Sequence, residues 1–211
     1  SIAYKYSLGG GYMKSDAWVR LGQVGYYDTF GPELSFAQAL LAKHLSNIAI
    51  AKFTHSGSQI IDWTPEGSLA KSRHIYPQFI QFVQEAVSDL EAKGHTVHLT
   101  GIFYHLSEND MSFYPYRKMA AERLQSIIAQ SRIDLNLPRL KWYVSQQPPT
   151  DERDVNRIDV VANMEKIAAN DPSLIHIKAF DLPTQKKKLV LDAAGVIKIG
   201  RLLGERFTTH N

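Results

Sequence analysis

Three polar clusters, each placed just after an apolar run, carry the residue types from which acyl-transfer chemistry is built. Thr54-His55-Ser56-Gly57-Ser58-Gln59, with Asp62-Trp63 behind it, follows the apolar run 48–53. His105-Leu106-Ser107-Glu108-Asn109-Asp110 follows 97–104, and Ser145-Gln146-Gln147-Pro148-Pro149 follows 140–144. A serine hydroxyl attacks an ester only when a base removes its proton, and that base needs a carboxylate to orient it. His105 and Glu108 stand close enough in sequence to put a carboxylate beside an imidazole. Ser56 or Ser58 with His55 or His105, oriented by Glu108, is the triad these clusters offer. Gly57, between the two serines, would make a tight turn whose backbone amides suit an oxyanion.

Each feature also has a plain structural explanation. Glu108 and Asp110 can cap the next helix while His105 satisfies a nearby carbonyl, and Ser56-Gly57-Ser58 can be a glycine turn joining strand to loop. Spacing alone leaves both alternatives open. His44, His74, His95, His98, His176 and His210 fall on helices, at turns, in strands or at the terminus, where packed or solvated histidines are the rule. No HExxH spacing occurs, so no metal is expected. Gly9-Gly10-Gly11 lacks the strand–glycine–helix context of a phosphate loop, and no cofactor is expected either.

The elements that must position these clusters are legible from periodicity. Runs 48–53, 97–104, 140–144 and 175–178 are near-continuously apolar, as parallel strands covered on both faces require. Between them lie helical stripes: Leu34, Ala37, Leu41 and Leu45; Phe79, Phe82, Ala86 and Leu90; Ala120, Leu124, Ile127 and Ser131; and Val196, Ile199, Leu203 and Phe207. Gly94 stands where a C-cap glycine belongs, and Asp192 where the last helix needs an N-cap. Strands alternating with helices imply right-handed crossovers and a three-layer α/β/α sandwich with a mostly parallel sheet. In such sheets ligands bind beyond the carboxyl ends of the strands, where all three clusters fall. Residues 1–32, rich in glycine and tyrosine and without a clear period, are expected to form an irregular loop layer.

Composition sets the outer bounds. A chain of 211 residues supports one domain with a full core. Lys plus Arg is 24 against 21 Asp plus Glu, a formal charge of +3 with the signs interspersed. The only basic run, Lys186-Lys187-Lys188, fits a solvated turn, so no nucleic-acid partner is expected. The absence of cysteine rules out disulfides and thiolate chemistry. No apolar run nears the roughly 20 residues that cross a bilayer, so no membrane partner is expected. The start lacks a signal-peptide core, although a processed precursor would look the same.

At these clusters the chain resembles the sialate O-acetylesterase and acetyl xylan esterase family, carbohydrate esterases of the SGNH hydrolase superfamily. The resemblance is carried, in order, by Phe30-Gly31-Pro32-Glu33, Lys52-Phe53 through Ser56-Gly57-Ser58, Gly101 through Asp110, and Asp192-Ala193-Ala194-Gly195. It implies a flavodoxin-like SGNH hydrolase fold spanning 1–211 as one domain. It also implies an acetylated carbohydrate as substrate, and export to the periplasm or medium; it sets no oligomeric state. By motif match Glu108 inherits the orienting acid and Gly57 an oxyanion-loop role, with Ser107 and Asp110 on the oxyanion and substrate side of the same motif.

The chain also departs from the family's pattern. The family's serine lies in Gly-Gln-Ser-Asn after its first strand; here Gly22-Gln23-Val24-Gly25 is only superficially similar, as though the first strand and its nucleophile lay upstream. Val190 stands where the family has its histidine, Lys187 where the companion acid would be, and Leu106-Ser107 where it has Gln-Gly. Valine and leucine neither shuttle protons nor donate hydrogen bonds. Two functions follow as expectations: a hydrolase that removes O-acetyl groups from sugars, or an inactive relative that binds a glycan or a protein. Trp63, Tyr104, Tyr114 and Tyr116 would supply stacking surfaces for sugar rings.

Overall fold

The structure, a computed structural model, describes residues 2–24, 30–69, 73–112, 114–149, 157–185 and 190–210, without the side chains of residues 114 and 157–159. The Lys186-Lys187-Lys188 run, Gly25 and the Tyr114 side chain lie outside the described residues. In chain order the elements begin with β1 (Ala3–Leu8), β2 (Met13–Lys14), β3 (Val19–Arg20), α1 (Glu33–Ala42) and β4 (Ala49–Phe53). A 3-10 turn (Ile60–Trp63), α2 (Tyr76–Glu91), β5 (Ile102–Leu106), α3 (Glu108–Met111), α4 (Tyr114–Lys118) and α5 (Ala120–Asp134) follow. The chain continues through β6 (Trp142–Gln146), α6 (Arg157–Ala169), β7 (Leu174–Lys178) and α7 (Ala193–His210). Two units form, one from Ser1–Ser56, Ser88–His95 and Asp181–Asn211, the other from Gly57–Val87 and Thr96–Phe180.

In the first unit β1 pairs with β4 in parallel, from Ala3↔Ala49 to Ser7↔Phe53, and antiparallel with β2 and β3. The irregular layer expected over 1–32 is thus corrected: it contains a strand of the unit's sheet. The strand was hidden by its polar atoms. Lys5 is buried and bonded to Asp89 at 2.5 Å, and buried Tyr4 donates its hydroxyl to Glu33 at 3.2 Å. Glu33 is buried as well and accepts Lys52 Nζ at 2.8 Å. That acid fixes the rotation of α1, so Phe36, Ala37 and Leu40 face inward while Leu41 is 53% exposed. The stripe expected through Leu41 and Leu45 is therefore one position out. Helix α7 buries Ile199 and Leu203 as expected, and Asp192 Oδ1 accepts the Gly195 amide at 2.8 Å as its cap. Gly94, at φ +84°, ends α2, with His95 N donating to Leu90 O at 3.1 Å.

The second unit holds the parallel sheet β5-β6-β7. Every residue of the central strand β6 is buried, which accounts for its unbroken apolar start. Ala120, Leu124, Ile127 and Ser131 of α5 all face inward, each large apolar side chain contributing about 1.5–3 kcal/mol. Strand β5 starts only at Ile102, where pairing with Trp142 begins, so the expected strand over 97–104 moves toward its polar end. Arg132 ties the loops below the sheet, donating to Leu140 O at 3.0 Å and Asp171 Oδ2 at 2.6 Å. The chain is α/β with parallel strand pairing, as its periodicity predicted.

Candidate functional site

The carboxyl end of β5 runs into the most polar loop of the second unit. Ser107 keeps an extended backbone, φ −95° and ψ −170°, and its carbonyl accepts the Met111 amide at 3.1 Å, which starts α3. Glu108, Asn109 and Asp110 therefore lie on a single turn of helix directly beyond the sheet. Asn109 Nδ2 donates to Ser58 O at 3.1 Å, and the Ile60 amide donates to both oxygens of Asp110, at 3.0 and 3.1 Å. The Gly57 turn and the Glu108 loop, far apart in sequence, are thus brought together.

The 57–63 turn is also closed from within. Trp63 Nε1 donates to Ser58 Oγ at 2.9 Å, and Gln59 N donates to Asp62 Oδ2 at 2.8 Å. Arg73 donates to Gly57 O at 3.0 Å and lies 3.6 Å from Asp62. Gly57 needs its glycine for φ +69° and is exposed, and its amide donates to no partner among the described residues. Trp63 packs edge-on against Phe79 and Tyr104, presenting a half-buried indole at the same turn.

The structure pairs His105 with a serine that the sequence did not single out. Strand register sets His105 opposite Ser145, and Nδ1 lies 2.8 Å from Ser145 Oγ. Ser145 is fully buried, so an ester outside the sheet cannot reach it. Burial pushes the His105 imidazole down to about 4, leaving it neutral near pH 7. The only sequence signal was the equal polar ending of β5 and β6, which register turned into contact. Neither Ser58 nor Glu108 bonds to His105, and the Glu108 carboxylate takes no hydrogen bond among the described residues. Asp110, expected on the substrate side, is 3% exposed and turned inward, and burial pushes its carboxyl up to about 6.

Ser56 and His55 belong to the other unit. Ser56 is exposed, and His55 Nδ1 lies 3.3 Å from the Ser56 carbonyl, not its hydroxyl. There β1 ends in Gly9-Gly10-Gly11, all at positive φ. Gly10 N donates to Thr54 O at 3.1 Å, and the His55 ring lies 3.1 Å from where a Gly10 Cβ would stand. Val190 is 37% exposed.

A cavity of about 380 Å³ lies in the second unit, lined by Leu99, Leu137, Leu140 and Lys141 among others. These residues precede β5 and β6, so the cavity sits at the opposite strand ends from Glu108. Among the described residues no group of three or more His, Asp or Glu could hold a metal ion, and no helix is long and apolar enough to cross a membrane.

A family model described as carbohydrate esterase, sialic acid-specific acetylesterase matches residues 14–209. Comparison with curated proteins finds no match. Among solved structures, an Arabidopsis thaliana protein superposes with a TM-score of 0.66 at 16% identity, covering 99% of this chain and 80% of that one. A carbohydrate acetylesterase from Xanthomonas citri superposes with a TM-score of 0.68 at 13% identity, covering 99% of this chain and 48% of the other. This chain therefore spans about half the length of the Xanthomonas enzyme. At such identities the two likenesses speak to the fold alone.

Proposed function

Since the chain belongs to the sialic acid-specific acetylesterase family of carbohydrate esterases, we propose that it acts on O-acetyl esters of carbohydrate at the Ser58–Glu108 cluster, with low turnover. The observation that supports this is the Asn109–Ser58 bond, which ties the Gly57 turn to the loop that carries Glu108. A bound acetyl group would meet three things there. The free Gly57 amide would stabilise an oxyanion, the Trp63 face would stack on the sugar ring, and the unpaired Glu108 carboxylate would accept a proton from Ser58 or from water.

What is missing sets the rate. His105 meets the buried Ser145 instead of Ser56 or Ser58, and Val190 takes the place of the family's histidine. Strand β1, the parallel neighbour of β4, is read as the family's first strand, and it runs into three glycines instead of Gly-Gln-Ser-Asn. Sites that lose a triad member keep roughly 10³–10⁴-fold catalysis over water, from binding and oxyanion stabilisation. That is the turnover expected here.

The same substitutions favour a second reading, a carbohydrate-binding relative with no turnover. Acetate release from p-nitrophenyl acetate and from an O-acetylated sialic acid separates the two. The esterase predicts release above the buffer blank, falling at least about tenfold in Glu108→Ala. Release equal to the blank leaves the binder; release unchanged in the variant moves the chemistry elsewhere.

A further inference from the structure

Two buried carboxylates beneath the Ser58–Trp63 turn are unused by the function above. Asp62 and Asp110 are 2% and 3% exposed, and they accept the consecutive amides of Gln59 and Ile60. We propose that Asp110 is a positioning residue whose ionised carboxylate clamps the Ile60 amide and so sets the turn presenting Ser58 and Trp63, and that protonation of this carboxylate releases the turn.

The geometry makes the clamp depend on charge. Both oxygens of Asp110 receive one N–H, an arrangement that suits the carboxylate, whose two oxygens both accept and share the charge. On protonation one oxygen becomes a hydroxyl donor, and the bond that remains loses its charge assistance. Burial first, then the like charges of Asp62 on the turn and Glu108 on α3, favour the protonated form; the Ile60 amide and Arg123 on α5 oppose them. Tyr104 on β5 is the other titratable neighbour, its hydroxyl held protonated by burial and by both carboxylates. Asp62 has a partial counter-charge in Arg73, 3.6 Å away. The balance puts release near pH 6. The clamp operates whether or not the ester is hydrolysed.

Nitrogen–proton correlation spectra of the whole chain from pH 8 to 5 test it, the Trp63 indole signal being identified by Trp63→Phe. The Ile60 amide and Trp63 indole should titrate together with a midpoint near 6. Ile60 amide exchange, corrected for its intrinsic rate, should rise about fivefold on the acid side. Asp110→Asn should abolish the transition while keeping the fold, since the amide oxygen still accepts one bond. Should that variant not fold, Arg123→Gln supplies the check by moving the midpoint upward. Two signals that stay still, that titrate with separate midpoints, or that titrate unchanged in Asp110→Asn or Arg123→Gln would overturn the proposal.

Discussion

At the scale of residues, two buried titratable groups pull stability in opposite directions. His105 is pushed down to about 4 in the fold from an ordinary 6.5, so the unfolded chain takes up the proton first. Its contribution is complete above pH 6.5 and is lost as pH falls toward 4. Asp110 is raised from 3.8 to about 6, so the fold takes up its proton first and gains stability as pH drops through that window. Urea midpoints measured between pH 7 and 4 should therefore fall less in His105→Gln than in the wild type, and more in Asp110→Asn. Equal slopes in all three proteins would show that neither group is buried as described. The residue types were legible in the sequence, as was the Gly57 turn. The His105–Ser145 pair was not, because pairing depends on which strands adjoin and in what register.

At the scale of elements, the first unit is held by close approach between α1 and α7. A Cβ on Gly200 would stand 2.0 Å from Ser35 Oγ and 2.2 Å from Pro32 O, and one on Gly204 would stand 2.7 Å from the Ala39 Cβ. Gly200→Ala should thus cost about 1–3 kcal/mol in urea unfolding, because the Pro32 carbonyl is backbone and cannot swing aside. Gly94→Ala meets no atom within 4 Å and carries only the strain of φ +84°, so it should cost about 1 kcal/mol. A larger loss at Gly94 than at Gly200 would contradict the helix contact. Periodicity found α5 and α7 well, because their buried positions are apolar. It misplaced α1 and overlooked β1, because a buried Glu33 and a buried Lys5, each satisfied by a distant partner, look like surface residues in one dimension.

At the scale of the whole molecule, a ligand that binds only the folded chain raises its melting temperature by mass action. An O-acetylated sugar at one hundred times its Kd should add roughly 2.7 kcal/mol, or about 5–10 °C for a chain of this size. The deacetylated sugar should add less, and equal shifts would remove the acetyl group from the recognition. The sequence by itself determined the alternation of strands and helices, the parallel pairing and the family motifs, since these follow from local periodicity and short-range residue order. Only the tertiary structure decided which polar groups meet. It gave the His105 imidazole to Ser145, turned Asp110 inward onto Ile60, and tied Asn109 to the Ser58 carbonyl. Burial and hydrogen bonding depend on neighbours distant in the chain, and nothing in the local pattern encodes which distant partner satisfies a given charge.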